Sequence, residues 1–193
     1  MQAYAFEAAM HGADLLEHFG RPGAADWRAW AAALKQRFHE SFWLEDAAGP
    51  YLAIALDAAK RPVDAVASNA GHVLGTGLLS PSQARAVGDR LTGDDLASGF
   101  GLRTMSTTAS GYWPLSYHGG TVWAHDTAIA VAGLTREGLV DQADVLIAGL
   151  LAAAEGFGYR MPELHSGEPA SEVGSPLPYP ASCRPQAWSA TAA

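Results

Sequence analysis

The sequence predicts an all-α fold in which paired helices alternate around a ring, an α/α toroid. Three observations carry that expectation. Apolar residues recur at helical spacing along most of the chain, strand-like stretches are few and short, and the connections are of two kinds. Those at 20–23 and 137–138 are tight, whereas those at 93–120 and 156–183 are long and rich in Gly, Pro, Ser and aromatic residues. Helix pairs with tight turns at one end and elaborate loops at the other describe such a ring. With 193 residues, 49% hydrophobic and 17% charged, the chain can bury one core, so residues 1–193 read as one domain.

Start and stop signals place helices near 2–19, 24–43, 69–79, 81–92, 121–136, 139–155 and 184–193. Arg21-Pro22-Gly23 separates the first two. In the second, Trp27, Trp30, Leu34 and Phe38 fall at i, i+3, i+7 and i+11, and Leu139, Ala143, Leu146, Ile147, Leu150, Leu151 and Ala154 form a wide stripe further on. Both stripes are expected to pack inward. Ser68 or Asn69 is expected to cap the helix carrying His72, and Ser80 caps the one opening at Pro81. Tyr51–Leu56 suits one arm of a small hairpin, and Gly101–Met105 an extended piece. Met1–Phe6 lies inside a helical pattern with no cap ahead of it, and Gln186–Ala193 only begins one. About half of a ring is therefore expected. Half a ring leaves inner helix faces uncovered, which predicts self-association or assembly with a separately encoded N-terminal half.

Composition and spacing exclude several classes of function. The net charge of −8 is spread along the chain, so neither nucleic acid nor a membrane surface is an expected partner. Cys183 is the sole cysteine, which rules out an internal disulfide and fits a reducing compartment. No leader-like segment opens the chain, and Val145–Ala154 is about half the roughly 20 apolar residues of a membrane span, so a cytoplasmic protein is expected. His118 and His125 stand seven apart across two glycines, unlike the four-residue spacing of a helical metal site, and no metal is expected. A strained G-x-S-x-G elbow and glycine-rich phosphate loops are absent, and no cofactor is expected.

Carbohydrate chemistry fits the remaining residues. Sugars stack apolar faces on indole and phenol rings and present hydroxyls to carboxylates, arginine and histidine. The long connections hold Tyr112, Trp113, Tyr117, Trp123, Tyr159, Tyr179 and Trp188 beside Arg103, His118, Asp126 and Glu163. Inverting cleavage of a glycosidic bond needs two carboxyl groups roughly 6.5–9.5 Å apart, and Glu163 and Asp126 are the loop carboxylates to consider. Asp126 also sits in a first helical turn, where a negative charge contributes about 0.3–1 kcal/mol with no catalytic role.

The runs GFGLRTMS (99–106), SYHGGTVWAHD (116–126), RMPEL (160–164), PYP (178–180) and CRPQAW (183–188) resemble the C-terminal part of bacterial glycogen-debranching (amylo-α-1,6-glucosidase-like) glycoside hydrolases. QAYA (2–5) and SNAGH (68–72) resemble the same proteins, so the likeness spans nearly the whole chain. It implies a six-hairpin toroid and inverting hydrolysis of an α-glucan or oligosaccharide, with Glu163 of the PEL run as general base. Tyr117, His118, Trp123, His125 and Asp126 would line the sugar pocket, Arg103, Gln186 and Trp188 would complete its wall, and Gly119-Gly120 would let the backbone pass close to substrate. The family's general acid lies upstream of the segment that this chain matches. Departures from the family's pattern are Gly119 in place of arginine, Ala124 in place of proline, and His165-Ser166-Gly167 after Glu-Leu. Two other readings stand beside the hydrolase. One is a carbohydrate-binding or regulatory remnant without catalysis. The other is a sugar isomerase or epimerase using His118, His125 and His165 for proton transfer.

Overall fold

The computed structural model describes residues 1–192. The chain opens with an antiparallel helical hairpin, α1 (Gln2–His18) and α2 (Ala24–Phe42), whose turn closes at Gly23 with φ +105°. A left-handed residue there is what glycine supplies without strain. The small residues Ala3, Ala9 and Ala31 let the helices approach closely, with Phe6, Leu34 and Phe38 filling the seam. The tryptophan stripe of α2 is only half buried: Leu34 and Phe38 are covered, while Trp27 and Trp30 remain 49% and 41% exposed. Arg28 bridges Asp14 at 2.7 Å and Glu17 at 2.5 Å across the exposed edge, where water screens the pair.

Two short hairpins follow, β1 (Trp43–Asp46) with β2 (Gly49–Leu52) and β3 (Ala55–Leu56) with β4 (Pro62–Val63), so the expected strand at 51–56 is divided between them. The expected helix at 69–79 is a single 3₁₀ stretch, Ser68–Val73. Gly75 and Gly77 follow with φ +73° and +79°, which stops the helix. Neither Ser68 nor Asn69 caps it by a side-chain hydrogen bond; Asn69 Nδ2 instead donates to the Ile54 carbonyl at 3.4 Å. The next helix, α3 (Pro81–Leu91), carries the expected start as a capping box: Ser80 accepts from the Gln83 backbone N–H and Gln83 returns a bond to Ser80.

The second half of the chain is built on α4 (Ala124–Arg136) and α5 (Val140–Gly156), an antiparallel pair joined by the tight turn at Glu137–Leu139. The segment predicted helical from 121 begins later because β5 (Val122–Trp123) pairs with β6 (Leu164–His165), Val122 opposite His165 and Trp123 opposite Leu164. Likewise, of the expected 184–193 helix only α6 (Ala187–Ala190) forms, and position 193 lies outside the described residues. Leu139, Ala143, Leu146, Leu150 and Ala154 face inward as the stripe predicts, whereas Ile147 and Leu151 point outward. The main core gathers Leu78, Leu91, Leu96, Leu102, Leu134 and Leu146, each contributing about 1.5–3 kcal/mol by burial.

One packing detail positions the site. A Cβ on Gly71 would lie 2.7 Å from the Ala130 Cβ, and one on Gly133 2.7 Å from the Leu74 Cβ. Only glycine at these two places lets the 3₁₀ helix and α4 touch backbone to backbone. That contact sets His72 against the first turn of α4.

Candidate active site

The 3₁₀ helix, α4 and α6 all open with their N-terminal ends on one hollow of about 600 Å³, a size typical of small-ligand sites. Its floor comes from α4 and the strand before it, through Trp123, His125 and Asp126; Ser68, Asn69 and His72 form one wall. Tyr117, His118, Glu163 and Trp188 close the other sides, with Ile54, Thr104 and Met105 at the rim.

Ring packing orders the aromatic side. Trp123 is the anchor, its indole N–H donating to the Tyr117 carbonyl at 3.0 Å and to Thr121 Oγ1 at 3.1 Å. His118 stacks on it with planes 15° apart, and Tyr117 and Trp188 meet it edge-on at 4.8 and 6.2 Å. His125 in turn lies stacked on Trp188. Burial lowers the His125 pKa, opposed by the Asp126 carboxylate, so this imidazole is neutral near neutral pH. Loss of water and then the Glu163 carboxylate raise the Tyr117 phenol, which stays protonated and able to donate.

The acidic side holds two carboxylates. Glu163 directly precedes β6, and the pairing of Leu164 with Trp123 brings it beside the start of α4; its backbone N–H donates to the Cys183 carbonyl at 3.0 Å. Asp126, in the first turn of α4, accepts a hydrogen bond at Oδ1 from His72 Nε2 at 2.6 Å, while Tyr4 of α1 bonds the other imidazole nitrogen. Among the described residues, no three His, Cys, Asp or Glu side chains gather closely enough to hold a metal ion.

The family described as the mannosylglycerate hydrolase MGH1-like glycoside hydrolase domain matches residues 1–161. The chain belongs to this family of glycoside hydrolases. Its fold is shared with the mannosylglycerate hydrolase of Thermus thermophilus solved with glucose, at TM-score 0.72 and 18% identity over 98% of this chain and 44% of that one. An uncharacterised conserved protein of the same organism matches at TM-score 0.70 and 16% identity over 99% of this chain and 43% of that one. The neutral trehalase of Saccharomyces cerevisiae matches at TM-score 0.69 and 16% identity, over 86% of this chain and 33% of that one. Curated proteins gave no significant match. The chain thus spans less than half the length of these structures, and the all-α toroid architecture expected from sequence is theirs, a six-hairpin glycosidase fold of which about half is present.

In this MGH1-like domain, two residues expected in the pocket wall lie elsewhere. Arg103 is 1% exposed beneath the site, where Nε donates to the Gly167 carbonyl at 2.6 Å and an Nη to the Asp94 carbonyl at 2.9 Å. It braces the segment that follows Glu163 and does not line the hollow. Gln186 caps α6 by its backbone position, its N–H donating to the Met161 carbonyl at 2.9 Å, and its neighbour Trp188 reaches the hollow instead. His165 is equally remote: it is buried at 1% exposure against Phe157, its Nδ1–H donates to the Ser166 carbonyl at 2.9 Å, and burial holds its pKa down at about 4. The glycine pair also serves differently from the expectation. A Cβ at Gly120 would lie 2.3 Å from the Trp113 carbonyl oxygen, and one at Gly119 2.7 Å from Ser116 Oγ, so the protein's own atoms take the space.

Sequence reasoning gave Tyr4 no role beyond its place in the QAYA run, and set His72 toward the rim beside a capping residue without naming its partner. For His72 the S-N-A-G-H run was the available signal. For Tyr4 it was the Q-A-Y-A run alone, since an aromatic residue at helical spacing otherwise reads as core.

Proposed function

We propose that this domain supplies the general base and the sugar-binding residues of an inverting glycoside hydrolase acting on an oligosaccharide or α-glucan. The supporting observation is the shared hollow: Glu163, Asp126, three histidines, two indoles and a phenol converge there on helix N-terminal ends. Glu163 takes a proton from the attacking water, a role that suits a half-buried carboxylate with no side-chain hydrogen bond among the described residues. Trp123 and Trp188 offer faces for the sugar ring, and Tyr117, His118 and His125 offer donors and acceptors to its hydroxyls. Asp126 Oδ1 is already engaged by His72, and the motif resemblance puts the general acid upstream of the matching segment, so the general acid is assigned to a part of the enzyme outside this chain.

The finer reading is an amylo-α-1,6-glucosidase-like specificity, from the motif resemblance at 99–106, 116–126 and 160–188. A small glycoside such as mannosylglycerate is the alternative, favoured by the matching family's description and by a hollow of about 600 Å³. The proposal also includes a helical partner, either a second copy or an N-terminal half, supported by the apolar groove of about 510 Å³ between Gly12, Leu16, Trp27 and Trp30. A cytoplasmic setting accords with the single free thiol at Cys183.

Calorimetry with glucose, maltose, isomaltose and mannosylglycerate, coupled to product analysis by mass spectrometry, tests the reading. Binding without turnover by the chain alone is expected, with turnover restored by the complementary half. Robust turnover by the isolated chain that Glu163→Gln abolishes would contradict an external general acid. Solvent proton exchange into a reducing sugar would replace the hydrolase by the isomerase reading.

A further inference from the structure

The hydrogen bonds that hold Asp126 at the hollow extend well beyond it. Tyr4 of α1, His72 of the 3₁₀ helix and Asp126 of α4 are 68 and 54 residues apart in sequence, yet they form one continuous line of hydrogen bonds. A neutral imidazole protonated at Nε2 satisfies both contacts: the Tyr4 hydroxyl donates to Nδ1, and Nε2–H donates to Asp126 Oδ1. His72 is the only side chain among the described residues that hydrogen-bonds Asp126. The second carboxylate oxygen, Oδ2, is covered and has no partner among the described residues. Removing the imidazole thus leaves a mostly buried carboxylate without any side-chain donor, a costly state that a rotamer change or protonation would relieve.

We propose that His72 is a positioning residue: with its tautomer set by Tyr4, it holds Asp126 in one rotamer at the wall of the hollow, so that Oδ1, which keeps a second lone pair, is a preformed acceptor for a hydroxyl of a pyranose there. The glycine contacts at Gly71 and Gly133 belong to the same device, because they hold the 3₁₀ helix against α4 at the spacing the 2.6 Å bond requires. Tyr4 stands at its outer end, 45% exposed, and carries the line to α1. This inference rests on the carbohydrate reading of the hollow.

Two measurements on the purified chain test it. Long-range proton–nitrogen NMR on histidine-labelled protein reads the His72 tautomer without ligand, and chemical-shift titration with glucose, mannose and maltose reads affinity. The Nε2–H form is expected in the wild type, with an Nδ1–H population emerging in Tyr4→Phe. His72→Ala should weaken sugar binding by about tenfold or more, the scale of a lost charge-assisted hydrogen bond. His72→Gln, which places an amide N–H near the Nε2 position, should recover most of that loss, and its thermal unfolding midpoint guards against misfolding as the cause. An Nδ1–H tautomer in the wild type, or unchanged affinity in His72→Ala, overturns the inference and leaves the proposed function standing. No binding of any of the three sugars by the wild type overturns the proposed function, and with it the ligand contact assigned to Asp126.

Discussion

The imidazole of His125 lies flat on the indole of Trp188, with ring centroids 3.8 Å apart and planes 17° from parallel. The two belong to different helices, and the stack both narrows the hollow and excludes water from the histidine. Trp188 is still 44% exposed, so its outer face is open to a ligand. Trp188→Ala is expected to weaken glucose or maltose binding by about tenfold, whereas Trp188→Phe retains most of it, as calorimetry would show. The same substitution hydrates His125. Since burial is what depresses its pKa, Trp188→Ala should move the His125 NMR titration upward toward the ordinary imidazole value.

His165 gives a pH dependence with a definite sign. Unfolded, its imidazole titrates near 6.5; folded and buried, near 4. Between those values the unfolded chain binds a proton that the folded chain refuses, so stability is lost as pH falls from 6.5 toward 4. The loss approaches about 3 kcal/mol at the acid end. Urea unfolding at several pH values should show this slope, and His165→Leu should flatten it.

Arg103 is expected to act on the site through stability and loop position. Arg103→Met strands the Gly167 and Asp94 carbonyls and should destabilise the fold by about 2–4 kcal/mol. Arg103→Lys recovers only part, because a single ammonium cannot reproduce the two divergent guanidinium bonds. Thermal unfolding of the two variants checks the ranking.

Gly167 stands where the Glu163-bearing segment crosses the glycine pair. An alanine Cβ there would come within 1.8 Å of the Gly120 carbonyl oxygen. Gly167→Ala should cost about 3 kcal/mol or more and abolish sugar binding by driving the two segments apart. Gly174→Ala, where nothing lies within 4 Å of the new methyl group, is the matched control in the same assays.

Association follows from the half-exposed tryptophans. In light scattering the chain should exceed its 20.2 kDa monomer mass, and Trp27→Glu with Trp30→Glu should return it to that mass.

Helical periodicity, the tight turn at 21–23 and the Ser80-Pro81 start determine most of the helices, because capping and amphipathic burial act over a few residues. The motifs likewise determine which stretches carry polar and aromatic groups: Glu163, Trp123, Asp126 and Trp188 are legible as a set. Tertiary structure decides what they touch. Arg103 and His165 are polar residues of the kind that line sugar pockets, yet both are core; Tyr4 reads as packing and His72 as a rim residue beside a cap, yet His72 bonds Asp126 and Tyr4 bonds His72. The reason is geometric: spacing along the chain fixes the face of one helix, whereas the meeting of side chains 54 or 68 residues apart depends on how closely two backbones approach, here at Gly71 and Gly133.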